Sequence, residues 1–145
     1  MVDRSRLSPG EKYLGFKKAH DTFSAYRGRG EYLAAFVLAF SIFEDRVMSC
    51  YQLAHDMSGQ KRPAGHAVHY KKVRFLAAAG LIAKDQADAW RKAGDGRNHI
   101  LHAAMWAPDT VTDVDCAAAI ALAKDAERMV KRLKSSLKAR SRNEP

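Results

Sequence analysis

Apolar residues return at helical intervals along most of the chain, and few stretches alternate as a half-buried strand would. Ser8-Pro9-Gly10-Glu11 has the form of a helix start, with Ser8 as cap, Pro9 in the first turn and Glu11 three residues on, so a first helix is expected to about Tyr26. Arg27-Gly28-Arg29-Gly30 breaks it. From Glu31 to about Met57 the apolar positions Leu33, Phe36, Val37, Phe40, Val47, Tyr51 and Ala54 define a long central helix. Glu44 falls in the middle of that stripe, where a carboxylate needs a cation or donors.

Residues 58–65 read as a mobile basic loop holding Lys61, Arg62 and Pro63. A third helix is expected from about His66 to Ala79, closed by Gly80, and a fourth from about Lys84 to Ala93. Gly94-Asp95-Gly96 then either restarts the chain, with Asp95 capping a new helix, or lies inside a continuous one. The last helix should run from Thr112 to about Ala139, leaving residues 140–145 as a disordered basic tail. These elements predict an all-α fold, a single-domain antiparallel bundle of about five helices spanning residues 1–139.

Composition narrows the picture. At 145 residues the chain can bury a core without disulfides or a structural metal. Cys50 and Cys116 both sit in apolar helical patterns, which predicts buried thiols in a reducing compartment. The first residues lack a hydrophobic signal core and no apolar run is long enough for a bilayer, so a cytoplasmic location without membrane partners is expected. The net charge of +9 is uneven: residues 1–30 hold seven basic against three acidic side chains, residues 124–142 eight against two, and residues 31–123 ten of each. Such basic ends attract polyanions, and RNA is the expected partner. Arg27, Arg29, Lys61, Arg62, Lys71 and Lys72 are the candidate phosphate-contacting cations.

The chemistry concentrates in Gly96-Arg97-Asn98-His99-Ile100-Leu101-His102. Asn98 and His102 are four apart and share a helix face, and the stem of Arg97 is long enough to reach the same patch. A guanidinium is a permanent planar donor fork suited to phosphate, while an imidazole gives or takes a proton near neutral pH. Asn98 could hold the imidazole, the scissile phosphate or a ribose hydroxyl, and spacing does not choose among them. Glu44 and His99 are supporting candidates, Glu44 either orienting Arg97 or His102 or serving only a core hydrogen bond. The pairs His66/His69 and His99/His102 lack a well-placed carboxylate, so no metal and no cofactor is assigned.

This stretch resembles the Arg-x4-His signature, often Arg-Asn-x-x-x-His, of the HEPN superfamily of helical domains, which includes many metal-independent RNases. The resemblance extends to the layout, with the motif in the second half of a small helical domain after a long apolar helix. It implies an endoribonuclease in which the 2′-hydroxyl attacks its own phosphate, Arg97 and His102 act at a cleft shared by two chains, and the products are a 2′,3′-cyclic phosphate and a 5′-hydroxyl. Homodimerisation, a toxin or phage-defence role and an antitoxin or other neutralising partner belong to the same implication. Ala104 stands where one toxin subgroup has Tyr, a departure that separates this chain from that subgroup.

Two other functions fit the sequence. A HEPN-like domain can bind nucleotide or protein without cleaving RNA. Lys71-Lys72-Val73-Arg74 followed by Ala79-Gly80-Leu81 has the outline of a helix-turn-helix, although Asp85, Gln86 and Asp88 suit a DNA-reading helix poorly.

Overall fold

The computed structural model describes residues 6–63 and 67–144. Among them are five α-helices and no strand, the helical bundle that the apolar periodicity predicts. The helices are α1 (Pro9–Gly28), α2 (Tyr32–Ser58), α3 (His69–Ala78), α4 (Lys84–Trp106) and α5 (Asp113–Asn143), with a 3₁₀ turn at Pro108–Thr110 before the last.

Local chemistry sets the ends. Ser8 Oγ accepts from the Glu11 N–H while the Glu11 carboxylate accepts from the Ser8 N–H, a reciprocal box that starts α1. Asp115 accepts from both the N–H and the hydroxyl of Thr112 at the start of α5. Gly59 and Gly80 terminate α2 and α3 at φ of 70°, a conformation that costs glycine little.

Helix α2 is the axis of the molecule and packs against α1, α3 and α5. Its buried set, including Ala35, Phe36, Ala39, Phe40, Phe43, Val47 and Cys50, covers more of the circumference than the sequence stripe did, and Val37 from that stripe is exposed. Helix α5 supplies Ala119, Ala123, Ala126, Met129, Val130 and Leu133 to the same core, its alanines allowing close approach. Arg27 grips Asp113 through two hydrogen bonds and ties the end of α1 to the start of α5.

Helix α4 is anchored by Trp90, 1% exposed, whose Nε1 donates to Asp125 on α5 and whose ring meets Phe43 edge to face. The chain runs through Gly94 and Gly96 without a break, which resolves the alternative at that point in favour of one long helix. Arg97 therefore sits in a helix interior, where backbone N–H groups are already bonded and no helix-end dipole is available to an anion.

The expected tail is instead helical through Asn143, and Arg140 donates at 2.7 Å to the Met57 carbonyl in the last turn of α2. Such carbonyls have no partner within their own helix, so a long cation from α5 finds a ready acceptor there. Both cysteines are free and buried; burial pushes the Cys50 thiol up to about 12 and raises that of Cys116. The described residues contain no helix long and apolar enough to cross a membrane.

Candidate functional site

Arg97 turns toward the bundle. Its guanidinium lies 5.3 Å above the Phe40 ring, and NH1 stands 3.6 Å from Oε1 of Glu44. At that separation the two are a charge pair and not a hydrogen bond. Nε of Arg97 is buried and has no hydrogen-bond partner. The head group is thus held by charge and by an aromatic face, with its donors unspent. Glu44 is about one-third exposed, and its expected need for a cation is met by the arginine of the motif.

A cavity of about 430 Å³ opens beside this pair, lined by Glu44, His69, Gly94, Arg97 and Asn98 among others. Two members were not singled out as site residues by sequence reasoning. His69 on α3 accepts no role from the motif, yet its Nε2 lies 2.9 Å from the Trp90 carbonyl and its edge meets Phe43. Burial lowers its pKa, opposed by the bond to that carbonyl and by the nearby Glu44. Gly94 is small because the imidazole lies against it: a Cβ there would sit 3.0 Å from Cδ2 of His69.

Lys72 lies outside this lining but close enough to Glu44 to feel its charge. Expected to meet phosphate, it is only 7% exposed, and burial lowers its pKa against the opposing pull of Glu44 and then Asp45. The inward spacing His69, Lys72, Val73, Leu76 was a signal available in the sequence.

Asn98, His99 and His102 are exposed. Arg97 and His102 are five residues apart on a continuous helix and so diverge by about 140° around its axis. Within one chain the guanidinium follows Phe40 and Glu44, and it does not swing to the Asn98–His102 patch that its stem length allowed. His102 does not line the cavity that contains Arg97. Beyond His102 the same surface continues into Met105, 66% exposed, and Trp106, 84% exposed.

Of the other cations expected to contact phosphate, Arg27 holds Asp113, Arg29 holds Glu31 and Arg62 holds Asp56, while Lys61 and Lys71 are exposed. His66 lies outside the described residues. A larger cavity, about 620 Å³ between the start of α2 and Pro108–Val111, has only carboxylates as its charged groups and lies away from the motif.

Compared with known protein families, curated proteins and solved structures, the chain matches none. The candidate site therefore rests on its own residues.

Proposed function

We propose that the chain is a metal-independent endoribonuclease of the HEPN type, acting as a homodimer whose active cleft is completed by a second copy. The observation that carries this reading is the stripe Asn98, His102, Met105 and Trp106, at i, i+4, i+7 and i+8 of α4 and exposed throughout. Large apolar side chains beside a histidine on one exposed face form a surface that a two-fold partner would cover, and such pairing sets equivalent residues of the two chains near the axis.

In the proposed reaction His102 removes the 2′-hydroxyl proton, the oxygen attacks phosphorus, and the P–O5′ bond breaks as the second imidazole of the dimer protonates the leaving oxygen. One cyclic phosphate and one 5′-hydroxyl result, and no water or metal is consumed. Arg97, its donors unspent, would neutralise charge on the phosphoryl oxygens, with Glu44 fixing its position. Asn98 adjoins both and would orient phosphate or ribose. A toxin or defence role accords with such an activity.

A second reading, a module that binds nucleotide or protein without cleavage, is favoured by the divergence of Arg97 and His102 and by the charge pairing of Arg97 with Glu44. Incubation of the protein with single-stranded RNA in EDTA separates the two. Cleavage to cyclic-phosphate ends, lost in His102→Ala and in Arg97→Ala proteins that remain folded, supports the nuclease; binding without cleavage supports the module.

A further inference from the structure

On the far side of α2 from Glu44, two residues on and so about 200° around the helix, Arg46 faces a trough between α1 and α5. The trough encloses about 520 Å³. Lys12 on α1 and Lys124, Lys131 and Lys134 on α5 line it, with Phe16 in its wall and Tyr13, 66% exposed, at its edge.

The charge arrangement is selective. The one carboxylate in the lining, Glu127, is engaged by Arg46 at 3.2 Å, and the Arg46 guanidinium is itself covered by the Phe16 ring at 4.6 Å. None of the four lysines joins an ion pair among the described residues. Four lysines therefore line one concavity, none of them ion-paired among the described residues and its one carboxylate already engaged by Arg46. From Lys124 to Lys134 the spacing along α5 is about 15 Å, which suits a short run of phosphates.

We propose that this trough binds the backbone of single-stranded RNA, with Tyr13 stacking on a base. The occupant is chosen by the combination of lysines along a concave path with an exposed aromatic ring. A duplex keeps its base faces stacked inward and offers Tyr13 nothing to stack on, and a flat anionic membrane meets projecting lysines and not a recess. The groove is separate from the Arg97 face and requires neither cleavage nor dimerisation.

The test is fluorescence anisotropy with a labelled, uncleavable 2′-O-methyl oligouridine of about 12 nucleotides, in EDTA, across a salt series. Lys131→Gln/Lys134→Gln is compared with Arg128→Gln/Arg132→Gln, which removes the same charge from exposed positions outside the trough. The trough pair should weaken binding at least tenfold and flatten the salt slope by about 1.4, at roughly 0.7 per lost phosphate contact. The control pair should change affinity less than twofold, and Tyr13→Ala should weaken binding about tenfold at unchanged slope. Equal losses from both pairs, or an absence of oligouridine binding by the wild-type protein, would overturn the proposal. Oligouridine binding with the expected variant pattern, in a protein that leaves unmodified RNA uncut in EDTA, would uphold this proposal while the nuclease reading fails, so the two failures are distinguishable.

Discussion

The imidazole of His69 occupies the space that a side chain at position 94 would need, with 3.0 Å between its Cδ2 and an ideal Cβ on Gly94. His69 has little freedom to withdraw, since Nε2 bonds the Trp90 carbonyl and Phe43 abuts its edge. One turn of α4 later comes Arg97, so the α3–α4 contact sets the helix that presents the motif. Gly96 meets nothing within 4 Å. Replacing an open helical glycine with alanine gains about 0.5–1 kcal/mol from backbone entropy. Gly96→Ala should raise the urea midpoint accordingly, whereas Gly94→Ala should fall about 1 kcal/mol or more below it. Equal stabilisation by both would show that His69 does not pack as described.

The same histidine makes stability fall in acid. Burial lowers its folded pKa below the unfolded value, so the unfolded chain binds the proton more readily. The stabilising contribution is complete above about pH 6.5 and is lost as pH drops through that value toward the folded pKa, at no more than about 1.4 kcal/mol per pH unit for one proton. His20, also lowered by burial, adds in the same direction. Urea unfolding between pH 7.5 and 5, ordinary assay limits, should show the decline, and His69→Gln should reduce its slope. An unchanged slope in that variant would assign the effect elsewhere.

Glu44 and Arg97, each about one-third exposed and 3.6 Å apart, should contribute little to stability. A double-mutant cycle with Glu44→Gln and Arg97→Gln should give a coupling of about 0.2–1 kcal/mol. The effect on RNA cleavage should be far larger for the arginine: about 10²- to 10³-fold loss in Arg97→Ala, as for removal of a donor to a developing oxyanion, against about tenfold in Glu44→Gln. A larger loss from Glu44→Gln than from Arg97→Ala would make the carboxylate a reacting group.

Trp106, 84% exposed, should matter to association and not to folding. Trp106→Asp should change unfolding free energy of the monomer by less than about 0.5 kcal/mol, the range of ordinary surface substitutions. Sedimentation should show the variant as a monomer at concentrations where the wild type is a dimer, with cleavage lost. A dimeric, active Trp106→Asp protein would place the interface elsewhere.

Helix number and most boundaries were legible because they depend on local signals: the Ser8–Glu11 box, the glycines at 59 and 80, and the apolar spacing of α2 and α5. The continuity of α4 was not, because two glycines and an aspartate satisfy both a break and a tolerated helix interior, and tertiary anchoring through Trp90 and His69 decides between them. The helical end of α5 likewise depends on a long-range bond from Arg140. At the candidate site, the pairing of Glu44 with a cation was foreseeable from a carboxylate in an apolar stripe. The inward course of Arg97 was not, since stem length permits either direction and Phe40 with Glu44 selects one.

The central claim is that two copies complete one RNA-cleaving cleft at the Asn98–His102–Trp106 face, and the rate of RNA cleavage in EDTA against protein concentration tests it most directly. The expected result is a rate that rises with the square of concentration while monomers prevail and becomes linear once sedimentation shows full dimer. A rate proportional to total protein at concentrations where sedimentation shows monomer, or a stable dimer that leaves RNA intact, would contradict it.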